Sequence, residues 1–203
     1  MLGGVRFQYT IMTKSLLALP ALTIYIGAAV LLWRGQRLGA FRTGAGRLGV
    51  FALATGALLL HGTILYGDLF QGDLNLGLTH SASLIAWAVT ALFLLAALFE
   101  PVDSLGIVIL PLSAVSVFAA WQWPSAASAV LSGATSAQAS HIIISMLAYS
   151  LLSVAVVQSL VLAFQERALH RRQAGGFLRN LPPLETMERL LFRMITVGFL
   201  LLT

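Results

Sequence analysis

The chain has 203 residues, of which 59% are hydrophobic and only 9% are charged, and its mean hydropathy is +0.91. Such a composition excludes an ordinary water-soluble domain and indicates an integral membrane protein. The net charge of +5 does not indicate binding to nucleic acid, because most of the arginines lie in segments between apolar runs and no aromatic residues alternate with them. The absence of cysteine excludes a disulfide or a thiolate-ligated metal within these residues.

The apolar runs are long enough to form membrane-spanning helices. They approach the roughly 20 residues that a helix needs to cross about 30 Å of hydrocarbon, and none has the period of two that is typical of a barrel strand. We therefore predict an all-α polytopic helical bundle that forms a single transmembrane domain over residues 1–203. The predicted spans lie near residues 15–33, 48–68, 78–99, 104–123, 140–164 and 190–203.

The last of these six spans is expected to be incomplete. It stops at Thr203, soon after Arg193, and would leave a carboxylate inside the bilayer. An unpaired charge is costly there, so we expect this sequence to be a fragment of a longer reading frame that lacks the C-terminal spans.

Basic residues predict the orientation of the bundle. Arginines concentrate in two predicted loops, at 34–47 and 165–189, whereas the predicted loops at 69–77 and 122–139 contain no lysine or arginine. Loops rich in positive charge stay on the cytoplasmic side. The sequence therefore predicts that 34–47 and 165–189 are cytoplasmic and that the N-terminus is outside.

His61 is the first candidate for a binding residue. It lies inside the second predicted span, in the outer half of the membrane core. Ionisable residues are rare at such a depth and more often functional than structural. Its small neighbours Gly56, Ala57 and Gly62 leave room for another helix or for a flat ligand. The alternative is a packing histidine that hydrogen-bonds to a neighbouring helix.

His141 is the second candidate and opens the fifth predicted span. Ser145 and Tyr149 follow it at i+4 and i+8, which places a polar stripe on one helix face. We expect this stripe to point into the bundle rather than towards lipid. The alternative is a histidine at the wet outer boundary that bonds to water or to a carbonyl group.

His80 is a weaker third candidate. It begins the third predicted span, and Ser83 and Trp87 share its face at i+3 and i+7. A residue of the aromatic boundary belt would have the same position. His170 lies among charged residues of a predicted cytoplasmic loop and is assigned no site.

Several segments resemble the cytochrome c assembly protein family, and in particular its YpjD-like branch. The most specific are LPPLETMERL at 181–190, followed by GFLLLT at 198–203, and the helix start HIIISMLAY at 141–149. Further support comes from NLGL at 75–78, SLIAW at 83–87 and LPL at 110–112. The resemblance runs from about His61 to Thr203.

This resemblance implies a multi-pass protein of the bacterial inner membrane that handles haem in cytochrome c biogenesis, similar to the CcsA, ResC, CcmC and HemX-type proteins. His61 matches a transmembrane histidine of the CcsA-like members, and His141 matches their outer-face histidine at the head of a helix. Both are thereby implied to be axial ligands of haem iron, each pairing with a histidine beyond Thr203. The tryptophan-rich outer loop of the family is not present in these residues.

The function that we expect is ligation of haem without catalysis, so that the protein is not an enzyme. Its expected partners are the lipid bilayer and other proteins of cytochrome c maturation or haem synthesis. One alternative is a HemX-like regulatory or assembly protein without haem carriage, for which 165–189 would bind a cytoplasmic partner. A small-molecule transporter is less favoured, because the predicted spans contain no charged residue away from their ends.

Overall fold

The computed structural model describes residues 2–38, 44–70, 74–75, 77–100, 102–123, 130–131, 135–170 and 183–203. Six helices make up almost all of this part of the chain, and they form the predicted all-α polytopic bundle. In chain order they are α1 (Leu2–Leu38), α2 (Gly44–Phe70), α3 (Leu78–Phe99), α4 (Asp103–Gln122), α5 (Ser136–His170) and α6 (Leu184–Leu202). Two short strands, β1 (Leu74–Asn75) and β2 (Val130–Leu131), pair in an antiparallel manner.

The helices extend well beyond the apolar segments. The 37 residues of α1 correspond to a helix about 55 Å long, whereas the hydrocarbon core is about 30 Å thick. Residues 34–38, 44–47, 165–170 and 184–189, which we predicted to be loop, are helical. An existing helix propagates without a new nucleation step, and arginine is a good helix former, so the helices continue past the membrane. The rest of both loops, at 39–43 and 171–182, lies outside the described residues.

Five helices of the described chain, α1 to α5, are long and apolar enough to cross a membrane. The helix α6 is not among them, because charged residues occupy its first half: Glu185, Glu188, Arg189 and Arg193. It packs along α5, where Gly198 faces Leu152: a Cβ at Gly198 would lie 3.0 Å from the leucine side chain.

The two connections at one end of the bundle are held together by the strand pair. Leu74 pairs with Leu131, and Asn75 pairs with Val130, so the link from α2 to α3 meets the link from α4 to α5. Because the two strands pair, both connections lie at the same end of the bundle. Both also belong to the loops that lack basic residues. The assignment of this end to the outer face remains a prediction from the arginine distribution.

Arg47 joins three helices at the opposite end. Its Nε and Nη2 atoms donate to the two carboxylate oxygens of Asp103, each at 2.9 Å, and Nη2 also donates to the Ala97 carbonyl at 2.6 Å. The guanidinium carbon lies 4.8 Å from the ring centre of Phe51. Arg47, which the sequence presented only as an indicator of topology, thus connects the start of α2 with the end of α3 and the start of α4.

We expect Asp103→Asn to lower the free energy of unfolding by about 1 kcal/mol, because a bidentate, partly buried pair contributes more than an exposed one. The matched control is Glu185→Gln, since Glu185 and Arg189 form an exposed pair at 3.0 Å within α6. This control should leave the stability unchanged. Thermal unfolding of the two variants in detergent measures the difference, and equal melting temperatures would contradict the proposed role of Arg47.

Candidate functional site around His61

His61 is fully buried at the contact of three helices. Its Nε2 atom lies 2.8 Å from the Ser83 hydroxyl on α3, and its Nδ1 atom lies 3.3 Å from the Tyr25 hydroxyl on α1. The Tyr25 ring meets the imidazole edge-on, with ring centres 5.9 Å apart. Both ring nitrogens of the histidine are therefore hydrogen-bonded to neutral side chains of other helices.

Two proton arrangements satisfy this pair of bonds. A neutral imidazole donates from one nitrogen and accepts at the other, and a hydroxyl can do either. If Nδ1 carries the proton, the imidazole donates from Nδ1 to the Tyr25 oxygen and accepts at Nε2 from the Ser83 hydroxyl. If Nε2 carries the proton, both roles reverse. The site can thus hold either tautomer of His61 without leaving a ring nitrogen unsatisfied.

A second pair of hydroxyls extends the polar contacts to a fourth helix. The Thr90 side chain interacts with Tyr25, and its Oγ1 lies 2.6 Å from the Ser113 Oγ on α4. Thr90 also donates to the Ala86 carbonyl at 2.9 Å. Hydrogen bonds between membrane helices contribute about 0.6 kcal/mol on average and up to about 1.7 kcal/mol. We call the following buried side chains the His61 network: Tyr25, His61, Ser83, Thr90 and Ser113.

Trp87 closes the space beside the histidine. Its indole nitrogen donates to the Leu58 carbonyl at 2.9 Å, and the ring lies against Gly62, where an added Cβ would be 3.1 Å from that nitrogen. The small residue at 62 therefore makes room for a tryptophan of α3, so the close approach predicted at this glycine is that of another helix, the first of the two alternatives. At Gly56, in contrast, an added Cβ would meet nothing within 4 Å.

His141 has a different environment. It is exposed near the start of α5, beside a shallow cleft of about 360 Å³ lined by Ala137, Gln138, His141 and Ile142. Tyr149 is also exposed, at 52%, so the polar stripe does not point into the described bundle as predicted. The spacing of the stripe shows which residues share a face, but it does not show which face packs.

The structure does not bring His61 and His141 into one metal centre. His61 belongs to α2, whereas α5 packs mainly against α6 and α3. Over the described ranges, no group of three or more His, Cys, Asp or Glu side chains is placed to hold a metal ion. The two histidines are therefore separate positions in this structure.

His80, the weaker candidate, is buried, with an exposure of only 4%. It precedes Ser83 by three residues and Trp87 by seven, so all three share the face of α3 that packs against α2. The spacing of these three residues thus marks the inward face of α3, and His80 is buried on this face although Leu78 in the same turn is exposed.

Three residues of the His61 network were missed by the sequence analysis: Tyr25, Thr90 and Ser113. Single hydroxyl residues are common in apolar helices, and most satisfy a carbonyl of their own helix, as Thr23 and Thr55 do here. Tyr25 was the available signal, since a buried phenol needs a hydrogen-bonding partner.

Comparison with known proteins identifies the family. Residues 50–203, most of the chain, match the model of the cytochrome C assembly protein family, and this range includes His61, His80 and His141. No curated protein and no solved structure matches the chain. With its five candidate spans, the chain is a multi-pass membrane protein that belongs to the cytochrome c assembly protein family, which supports a role in cytochrome c biogenesis.

Proposed function

We propose that this protein binds haem within the bacterial inner membrane, with His61 and His141 as axial ligands, and that it handles haem without catalysing a reaction. The observation that supports this proposal is the fully buried, neutral imidazole of His61. Among the described contacts, its Nε2 atom has one partner, the hydroxyl of Ser83. Imidazole is a common axial ligand of haem iron. The YpjD-like branch is proposed as the subtype on the resemblance of residues 141–149 and 181–190.

Imidazole suits haem iron as a donor, but His61 is fully buried and Trp87 lies against Gly62, so ligation by His61 would require α2 and α3 to separate at this point. In metal sites the second nitrogen of a ligating histidine usually has a hydrogen-bonding partner, and Tyr25 is in this position for His61. His141 is accessible beside its cleft. Haem would supply the iron that these imidazoles ligate, while the surrounding apolar helices exclude water from the buried ligand. Proteins of cytochrome c maturation or of haem synthesis are the proposed partners.

A HemX-like regulatory or assembly role without haem carriage is the second candidate. It is favoured by one observation: both ring nitrogens of His61 are already hydrogen-bonded within the protein. A histidine satisfied in this way can serve packing alone. In this case the cytoplasmic segment 165–189 would be the partner-binding element.

The test is a reduced-minus-oxidised absorbance spectrum with a pyridine haemochrome assay on the protein purified in detergent. We expect a Soret band in the wild type and a lower ratio of haem to protein in both His61→Gln and His141→Ala. Glutamine keeps hydrogen-bonding groups at position 61 but is a poor haem ligand. His170→Ala is the control, because His170 is exposed at the end of α5 and its Nδ1 lies 3.3 Å from the Glu166 carbonyl.

The outcomes separate the two functions. A colourless, folded wild-type protein would favour the regulatory role. An unchanged spectrum in both ligand variants would show that other residues hold the haem.

A further inference from the structure

We propose that the end of α1 binds an anionic phospholipid: Arg34 and Arg37 hold the headgroup phosphate beside Trp33, and the acyl chains follow the apolar outer face of the helix. The site lies on α1, outside the range 50–203 that matches the family model, and it does not depend on the proposed binding of haem.

The outer face of α1 changes from apolar to basic near the end of the helix. Ile26 and Val30 are exposed, and the exposed residues Trp33, Arg34 and Arg37 follow them at i+7, i+8 and i+11 from Ile26. This spacing places all five on one face of the helix. The face thus offers hydrocarbon first and then an indole and two guanidinium groups, which is the order in which a phospholipid offers acyl chains and then phosphate. A soluble phosphate would make no use of the apolar part.

The two arginines lie at the end of the bundle. Leu32, which precedes Arg34 by two residues, packs against α4, where an added Cβ at Gly106 would lie 2.6 Å from Leu32 Cδ1. Gly106 is three residues from Asp103, which forms the ion pair at this end. Both arginines are therefore within about one helical turn of that ion pair along the bundle. The arginine distribution predicts that this end is cytoplasmic, where anionic lipids give the bilayer a negative surface potential.

Neither arginine forms an ion pair in the part of the chain that the structure describes. Asp103 is bound by Arg47 through two bonds of 2.9 Å, and Glu100 at the same end has no ion pair among the described residues. Residues 1–67 contain no Asp or Glu. The positive charge on the outer face of α1 is thus left for an external anion, and phosphate matches the planar donors of a guanidinium group.

Arg47 shows what kind of group Arg37 can hold. The guanidinium carbon of Arg37 lies 4.3 Å from the ring centre of Trp33, and that of Arg47 lies 4.8 Å from the ring centre of Phe51. Stacking uses the face of a guanidinium group and leaves its in-plane N–H donors available. In Arg47 these donors bind the carboxylate of Asp103. Arg37 has the same stacking without an acceptor among the described contacts, so a phosphate can take the place that the carboxylate has at Arg47.

The test is native mass spectrometry of the protein in a non-ionic detergent, titrated with phosphatidylglycerol or with phosphatidylcholine. We expect phosphatidylglycerol to bind more tightly, because only this headgroup has a net negative charge. Arg34→Gln and Arg37→Gln should each weaken its binding about fivefold, and the double variant roughly 25-fold, as expected for basic residues at an anionic surface. The binding of phosphatidylcholine should not change.

Arg189→Gln is the matched control. Arg189 is also an exposed arginine, but its charge is balanced by Glu185, whose carboxylate lies 3.0 Å from the Nη2 atom. This variant should bind phosphatidylglycerol as the wild type does. Arg37→Lys keeps the charge but loses the planar group and should recover only part of the affinity. All of these variants should unfold at the wild-type temperature, since they change exposed side chains.

Glycerol phosphate distinguishes a lipid from a soluble phosphate, because it has the anion without the acyl chains. It should not displace phosphatidylglycerol at equal concentration, and displacement would overturn the assignment to a lipid. Equal binding of the two phospholipids by the wild type, or unchanged binding by the double variant, would overturn the inference. Neither result would affect the proposed function, since Trp33, Arg34 and Arg37 lie outside the His61 network and their variants should have the haem spectrum of the wild type.

Discussion

Gly106→Ala is expected to lower the free energy of unfolding by about 1–3 kcal/mol, the usual cost of inserting a group into a packed core. In α4, an added Cβ at this position would lie 2.6 Å from Leu32 Cδ1 of α1 and 2.6 Å from Phe93 Cζ of α3. Both neighbours are buried, with 1% exposure, and Phe93 also stacks on Phe51. Phe93 cannot move away without disturbing its stacking on Phe51, and Leu32 belongs to the same buried core.

Gly56→Ala is the matched control for this prediction. An added Cβ on α2 at this position meets nothing within 4 Å, so the substitution should stabilise the protein by about 0.5–1 kcal/mol through higher helix propensity. Thermal unfolding in detergent, followed by circular dichroism, measures both variants. An unaffected Gly106→Ala would show that the contact among α1, α3 and α4 tolerates the added methyl group, and a destabilised Gly56→Ala would show that position 56 is not open.

His61→Leu is expected to reduce the stability of the haem-free protein by about 1–3 kcal/mol. The change removes two hydrogen bonds between helices, each worth about 0.6–1.7 kcal/mol in a membrane protein. It also leaves the buried hydroxyls of Tyr25 and Ser83 without this partner. His61→Gln retains a donor and an acceptor and should recover part of the loss.

The control for this second prediction is His141→Leu, because His141 is exposed and lies outside the His61 network. It should unfold at the wild-type temperature. Equal melting temperatures for His61→Leu and the wild type would mean that the two hydrogen bonds do not hold α1, α2 and α3 together. The haem spectra of the His61 variants should be recorded well below their melting temperatures, so that loss of colour reports ligation rather than unfolding.

Arg47 and His141 show which features could be predicted from the sequence and which could not. The arginine distribution predicted the ends of the bundle, and Arg47 does lie at the end where α2, α3 and α4 meet. Its bond to Asp103 was not predictable, because the two residues are far apart in the chain. For His141, the repeat of polar residues identified a common face of α5, but only the packing of α5 shows that His141 and Tyr149 are exposed.

The amino-acid sequence by itself determined that this protein is a bundle of membrane-spanning helices. Long apolar runs must satisfy their backbone hydrogen bonds internally, and a helix does so with local contacts alone. The family could likewise be identified from the motifs at 141–149 and 181–190. The tertiary structure decided which hydroxyls reach His61, because Tyr25 and Ser83 come from helices before and after it. Such partners depend on how each helix is rotated and how closely it packs, and the apolar composition of the helices determines little of either.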